Sequence, residues 1–573
     1  MSDDGYFIKS LFRKQSSFNV LALIISTIGP IVCTVLAGTF FGSEGLAIVA
    51  INSPLFLAAS FFGSTISGGG HIVCSEYIAK DDDYNVNRVF SSVVIITFAV
   101  SVVVCAMLII FKRPLLFLMA GYISPGLSAF YNLFVIGAFL TMYAYIPLFF
   151  SRSAGRSEIG LVLTGVMSVV SICSSLILVR FMGIEAIALS QVIGTGAGLI
   201  VAMFMLRKHF SFCFTRELFL KPIFSYGSPE GLPRLYVLLS TALLNGMFLR
   251  TGGSLALATF GVVLTLNRFN SAIIAGISQT PIPLVGVFHE EQDITSIKQT
   301  MKIACIYGNV LILATGAVFI AFGYQIAGIF GLEDGGLLAW VMPFYALYSL
   351  LLINLSTLSS YYSAVKKIAL ANLIPFLQEF ALLCGGAILL SHMRGVYGIW
   401  VAFPLSGAAT LLILLVVLVI YSRMHKELTL PLLQNLRPEK EGRYISFSVE
   451  NIQEKATEAA AKISDFCEEN NLSTKQTMLI SMSVEEIITL IINNSNSNKS
   501  FSLSVRLFLL DSVVILRIRN TGEKFDAIEY YKANIADDIE KSLEVIGLKY
   551  IVESANVIYY RETFGVNNLV VIL

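Results

Sequence analysis

Between Phe18 and about Tyr421 the chain carries about twelve apolar stretches, each long enough to cross a bilayer, and beyond them its composition becomes that of a soluble α/β domain. A hydrocarbon core of roughly 30 Å needs about 20 apolar residues per helix. Within it every backbone polar group must be paired inside the protein, which leaves only helices or closed barrels. The segment ending in Leu411–Tyr421 meets that condition without a charge. With 56% hydrophobic and 13% charged residues among 573, the composition exceeds what a soluble chain can bury, and a polytopic protein with one appended domain follows.

The net charge of +1 hides an asymmetry: residues 1–435 hold 24 Lys and Arg against 18 Asp and Glu, and residues 436–573 hold 15 against 20. The tail therefore lacks the basic character of a nucleic-acid binder. The eight cysteines are scattered without a C-x-x-C pair, and the five histidines form no ligand cluster. Neither disulfides nor a metal site is expected. Asp3, Asp4, Lys9, Arg13 and Lys14 precede the first helix without a small-residue cleavage site, so that helix is expected to persist in the mature protein.

Helices are expected near 20–41, 46–70, 88–111, 127–150, 158–180, 184–206, 228–249, 255–284, 300–322, 338–362, 366–391 and 396–421. The connecting segments then alternate in charge, with about 17 Lys and Arg on the side of the N-terminus and about five on the other. The positive-inside rule makes the expected location the cytoplasmic membrane with both termini cytoplasmic. The two halves repeat with an offset of about 210 residues: Gly42 falls on Gly252, Asp83 on Asp293 and Arg88 on Lys298. Six helices is an even number, so the copies share one orientation, and parallel repeats of this kind enclose a cavity between two rocking bundles.

The stretch from Gly38 to Ser91, "GTFFGSEGLAIVAINSPLFLAASFFGSTISGGGHIVCSEYIAKDDDYNVNRVFS", resembles the opening repeat of the multidrug and toxic compound extrusion (MATE) family. "RSAGRS" (Arg152–Ser157), Ser254–Leu264, "GISQTPIPLVG" (Gly276–Gly286) and "GVYGIWVAFPLSG" (Gly395–Gly407) support it in order and spacing. The resemblance covers about the first 420 residues. It implies twelve helices in two parallel six-helix bundles, at 18–225 and 226–425, after a cytoplasmic segment at 1–17. It also implies an aspartate in helix one that couples export to protons or sodium. Here "VCTVLAG" puts Cys33 at that place, and Ser171 and Ser175 replace a polar Asn and Asp of helix five. A thiol neither exchanges protons as a carboxyl does nor offers sodium a hard oxygen.

The charges left in the membrane then carry the argument, because an ion in mid-bilayer costs several kcal/mol unless it faces a cavity or a partner. Glu379 lies near the middle of helix eleven, Arg268 near the middle of helix eight, and Glu230 with Arg234 at the start of helix seven. Glu379 is the candidate titratable group, and Arg268 a candidate docking point for an anionic substrate. Asn52, Asn245, Gln279 and Gln378 are candidate polar contacts along the pathway, although intramembrane amides also hold helices together.

After a linker at 426–442, residues 443–573 change periodicity. "YISFSV" alternates as a strand, Ile452–Cys467 is amphipathic, and Ser473 with Gln476 forms a capping box for a helix to about Asn493. A hairpin is expected around Asp511 and Ser512, then a helix through Tyr550 and a last hairpin joined through Gly565, Val566 and Asn567. Strands backed by helices make a two-layer α/β sandwich. The order resembles the histidine-kinase-like ATPase domain in its anti-sigma-factor kinase branch. That resemblance implies a nucleotide site at Glu486, Asn520, Gly522 and Gly547, in degenerate form. Leu490 stands where the branch has a magnesium-binding Asn, Asn520 stands where it has the adenine-binding Asp, and Gly547 is the lid's one glycine. Neither ATP hydrolysis nor a bound cofactor is expected, and Asn520 retains an amide oxygen for adenine. The function expected is ion-driven efflux of a small molecule by a lipid-embedded transporter, with a regulatory tail open to a cytoplasmic protein partner. A non-transporting membrane sensor and a flippase for a lipid-linked substrate are the alternatives.

Overall fold

In a computed structural model, the described residues are all but 1–4, 81, 121–123, 214–217, 291–292, 331–334, 425–427, 430–433, 436–442, 495–500, 511–512, 535–545 and 564–565. The chain divides into two compact units. One comprises Gln15–Glu290 and Met301–Leu418, and the other Met1–Lys14, Glu291–Thr300 and Val419–Leu573.

The first unit is helical. It is built from α1 (Gly5–Ala79), α2 (Asp83–Ile110), α3 (Lys112–Ala120), α4 (Pro125–Ser153), α5 (Glu158–Leu178), α6 (Glu185–Leu206) and α7 (Leu220–Ser278). There follow α8 (Pro281–Glu290), α9 (Ile294–Ala321), α10 (Gly323–Ile329), α11 (Gly336–Ala364), α12 (Ile368–Pro375), α13 (Leu382–Arg394) and α14 (Val396–Met424). Among the described residues, 11 stretches are long and apolar enough to span a membrane. The expected second helix, 46–70, lies inside α1 and is not one of them; several of its side chains fall outside the described residues. An ideal Cβ on Gly45 would sit 2.6 Å from the carbonyl oxygen of Ala37, whereas eight residues of straight helix span about 12 Å. The element thus turns back on itself between the two expected helices.

Departures from the expected boundaries have local causes. Gly253, at φ 66°, breaks α7 in a backbone region that side chains avoid. Helix eight, expected to run to 284, stops at Ser278 and restarts at Pro281, because a proline disfavours helical geometry in the residue before it. Between α12 and α13, Phe376–Ala381 forms a π-helical turn directly after Pro375, whose ring and missing N–H disturb the regular ladder. Ser124 caps α4 ahead of Pro125, and the Asp82 carboxylate caps α2 by accepting from Asn85 N.

The second unit carries a five-stranded antiparallel sheet in the order β3-β4-β5-β7-β6. Its strands are β3 (Arg443–Glu450), β4 (Ser502–Leu510), β5 (Val513–Asn520), β6 (Val557–Thr563) and β7 (Val566–Ile572), preceded by a small hairpin of β1 (Leu428–Thr429) and β2 (Gln434–Asn435). Its helices are α15 (Gln453–Glu469), α16 (Thr474–Asn493), α17 (Ala527–Asn534) and α18 (Ile546–Ser554). The Ser473–Gln476 capping box is present. Alternate residues Leu503, Val505 and Leu507 of β4 and Leu516 and Ile518 of β5 share one core with Ile463, Ile480, Val484 and Ile487 of the helices. The turn at Asp511 and Ser512, the linker apart from β1 and β2, and Gly565 lie outside the described residues, while Val566 and Asn567 belong to β7.

Period-two geometry sends the intervening residues to the other face. There Arg506 lies opposite Arg517, and Ser504 opposite Arg519. These three guanidiniums surround Asp293. Arg506 pairs with its Oδ1, Arg519 Nη1 lies 2.7 Å from Oδ2, and Arg517 Nη1 lies 3.8 Å from the same oxygen. Burial pushes the Asp293 carboxyl up, but Arg506, Arg519 and Arg517 together outweigh it and hold the group well below the usual carboxylate range. Its stabilising contribution is complete above an ordinary carboxylate pKa and fades only as pH falls through the depressed one.

Candidate functional site

A buried polar network joins the end of α4, the late part of α1 and the first turns of α7. Arg152 Nη1 donates to Gln279 Oε1 at 2.8 Å, and Gln279 Nε2 donates to Glu230 Oε2 at 2.8 Å. The amide thus bridges a guanidinium and a carboxylate, both nearly inaccessible to solvent. Arg234 donates to the Glu230 backbone carbonyl and lies 5.3 Å from the Tyr145 ring, while Arg152 lies 5.0 Å from the Phe149 ring. These cation–π contacts supply the second desolvated partner that each guanidinium needs. His71 Nδ1 and Ser153 Oγ are 2.5 Å apart beside them. Space for Glu230 comes from Gly68, where a Cβ would lie 2.7 Å from the Glu230 Cγ.

The same end of the unit carries further ties. Lys366 pairs with Glu76, Asn372 Nδ2 donates to Ser228 Oγ at 2.7 Å, and Asn19 Nδ2 donates to Thr280 Oγ1 at 2.9 Å. The helices of the two sequence halves are therefore held together here by polar contacts as well as by packing. Of the residues singled out from sequence, Glu230, Arg234 and Gln279 are brought together. Arg152 and Ser153 stand in the sequence only as the start of the "RSAGRS" motif, and His71 only within the Gly38–Ser91 stretch; none is marked there as a site residue.

Glu379 sits apart from that cluster, on the π-helical turn, where Arg234 is the positive charge acting on it. It is half-buried, and its shielded Oε2 has no hydrogen-bond partner among the described residues. Gln378 beside it is buried with its Nε2 in the same condition. The remaining candidates are dispersed. Asn52 Nδ2 turns back to its own helix, donating to the Ile48 carbonyl at 2.8 Å. Asn245 and Arg268 are exposed on α7. Next to Arg268, Asn267 accepts from Tyr345 at 3.1 Å, and Asn270 donates to Ser349 Oγ at 3.3 Å.

In the first half, Cys33 Sγ lies 3.5 Å from Ser175 Oγ, and Ser175 Oγ lies 2.5 Å from Ser190 Oγ. The two positions that replace ionisable residues of the resembling family thus meet, as a neutral chain of thiol and hydroxyls. Ser171 is buried nearby on α5 and packs closely on Gly194. Nothing in this chain of groups changes charge at neutral pH.

The tail's candidate nucleotide positions are occupied by internal contacts. Asn520 Oδ1 accepts from Gly522 N at 3.0 Å and from Asn567 Nδ2 at 2.9 Å, and Tyr560 donates to Asn567 Oδ1 at 2.6 Å. The amide oxygen left open for adenine by the sequence is therefore already engaged. Leu490 belongs to the apolar core. Glu486 is half-buried; desolvation pushes its carboxyl up, and Glu485 adds to the shift. Gly547 lies in the first turn of α18. No group of three or more metal-ligating side chains occurs among the described residues.

Known proteins share this arrangement of helices. A family model described as MatE matches residues 20–177. The multidrug export protein MepA of Staphylococcus haemolyticus is 22% identical over 354 residues, which is 58% of this chain and 77% of that protein. The probable multidrug resistance protein YoeA of Bacillus subtilis is 26% identical over 438 residues, 71% of this chain and 93% of that one. Among solved structures, an outward-facing multidrug resistance MATE transporter of the MOP superfamily matches with a TM-score of 0.66 at 16% identity, over 73% of this chain and 96% of that one. A MOP superfamily transporter from Pyrococcus furiosus, described as having a binding pocket of reverse polarity, matches with the same score, identity and coverage. The class is therefore a multi-pass helical membrane transporter. Its fold is the MATE fold.

Proposed function

We propose that the chain exports a small organic molecule across the cytoplasmic membrane, driven by a proton or sodium gradient, with Glu379 as the coupling group. The observation that carries this reading is the Glu379 carboxylate on its π-helical turn: half-buried, close enough to feel Arg234, and with a shielded oxygen that no donor among the described residues satisfies. Such an oxygen is a place for a proton or a cation, and π-helical turns inside helices are often functional. The neutral Cys33–Ser175–Ser190 chain supports moving the coupling group out of the first half. The names of MepA and YoeA support drug-like organic substrates. Arg268, Asn245, Asn52 and Gln378 are read as lining the substrate pathway.

The charge of the connecting segments supports twelve helices in two parallel bundles, at 18–225 and 226–425, with both termini cytoplasmic. The network around Glu230 then closes the cytoplasmic end. Residues 443–573 are read as a degenerate histidine-kinase-like ATPase fold that regulates rather than hydrolyses. A magnesium triphosphate needs an oxygen ligand and free backbone amides around its phosphates, and Leu490 and the lone Gly547 supply neither. The test is gradient-driven uptake into inverted vesicles of fluorescent dyes, one anionic and one cationic. Glu379→Gln abolishes uptake while the protein remains inserted; unchanged uptake with an unchanged pH profile removes Glu379 from the mechanism.

A further inference from the structure

The two repeats open equivalent helices with the same device. Asp82 Oδ1 accepts from Asn85 N at 3.0 Å ahead of α2, and Asp293 Oδ1 accepts from Ser296 N at 3.0 Å ahead of α9. The offset is 211 residues, which pairs Asp293 with Asp82 rather than with Asp83. Each carboxylate also takes a second hydrogen bond from the same side chain, Asn85 Nδ2 at 2.6 Å or Ser296 Oγ at 2.7 Å. Capping is thus complete in both. Only Asp293 then receives three arginines, and its side chain has 0% exposure.

Two costs show that these arginines are there for the carboxylate. A helix N-terminus carries the positive end of its macrodipole, so cations beside it are unfavourable. Arg506 and Arg517 face each other across neighbouring strands, and like charges so placed repel. One ionised carboxylate relieves both. The first turns of α9, to Thr300, belong to the same compact unit as the sheet, while the helix itself runs on to Ala321.

We propose that the tail is an autoinhibitory clamp: Arg506, Arg517 and Arg519 hold Asp293, restrain α9 at its first turn, and slow the bundle motions of transport. The effect on rate rests on the efflux reading above; the contact itself does not.

The experiment uses the full chain with a protease site inserted within residues 436–442, cleaved in washed membranes. In the wild type, residues 443–573 stay with the membrane after cleavage. Asp293→Asn releases them, and so does Arg506→Gln combined with Arg519→Gln, which leaves the α9 cap intact and guards against a folding defect. In the same vesicles, release raises dye transport about fivefold or more, the lower range of allosteric coupling. Asp82→Asn, the equivalent cap without the three sheet arginines, leaves retention and rate unchanged. Retention of the cleaved tail by both variants overturns the contact. Release with an unchanged or slower rate overturns the clamp. Loss of transport in every form, wild type included, overturns the efflux reading and the effect on rate with it, while retention continues to report on the contact alone.

Discussion

Gly227→Leu yields no monodisperse transporter in detergent extracts, whereas Gly246→Ala on the same helix yields as much as the wild type or more. The difference lies in what a Cβ meets. At Gly227 it would sit 1.8 Å from the carbonyl oxygen of Thr65 and 2.8 Å from that residue's carbonyl carbon; at Gly69 it would sit 1.8 Å from the carbonyl oxygen of Ile223. Late α1 and early α7 therefore cross backbone to backbone, as small residues spaced along facing membrane helices allow. Gly231, one turn on, faces Thr65 Oγ1 in the same way. Overpacking a core ordinarily costs about 1–3 kcal/mol because side chains move aside. Main chain cannot do so, and the helices must separate. Gly246 has nothing within 4 Å of its Cβ position, and alanine there gains about 1 kcal/mol of helix propensity. Size-exclusion profiles of fluorescent fusions measure both; a normal Gly227→Leu peak contradicts the close crossing.

Arg152→Ala has the second large effect. Removing one member of a buried, hydrogen-bonded charge pair costs about 3–5 kcal/mol, because the other charge stays desolvated. Here Glu230 keeps the Gln279 amide, which loses its own donor, and the field of Arg234 alone among the guanidiniums. The thermal midpoint in detergent falls, and the network that ties the two halves at this end opens. Cys74, a fully buried thiol in the late part of α1 near His71, then reacts with maleimide in inverted vesicles, as read by mass spectrometry of its peptide. Glu230→Leu added to Arg152→Met recovers most of the thermal loss, since replacing both charges by apolar groups is often close to neutral. A single variant with an unshifted midpoint and a silent Cys74 contradicts the role given to the network.

How far the sequence carried the structure depends on the range of the interaction that decides each feature. Apolar runs are local, and so the helices from Asp83–Ile110 to Val396–Met424 were legible, as was the capping box at Ser473. Breaks caused by backbone chemistry, at Gly253 and before Pro281, displaced boundaries, and the second made α8 an element of its own. The resemblance puts Cys33 where a helix-one carboxylate is expected, but the sequence does not give its meeting with Ser175, 142 residues away. Arg152 stands in the sequence as the first residue of the "RSAGRS" motif, but nothing near it marks it as buried. The arginines at 506, 517 and 519 show period-two placement in two apolar strands, a local hint of a second buried face. Their partner lies 213 residues before Arg506, and one sequence holds no record of that pairing. At Asn520 the engagement of the amide oxygen by Asn567, from a strand 47 residues later, is equally invisible in the sequence.

The strand order of the tail has a consequence for biosynthesis. β7, the last strand, is interior to the sheet, with β5 on one side and β6 on the other. While it is still within the ribosome, β5 lacks a neighbour and the sheet has an open seam, an aggregation-prone edge. Membrane helices insert as they emerge, so α9 waits in the bilayer with the Asp293 carboxylate uncovered until β7 has followed it out. A nonsense codon ahead of Val566 therefore does more than shorten the chain. It removes an interior strand, leaves that carboxylate to water, and turns a late translation error into a fault at a helix made some 270 residues before.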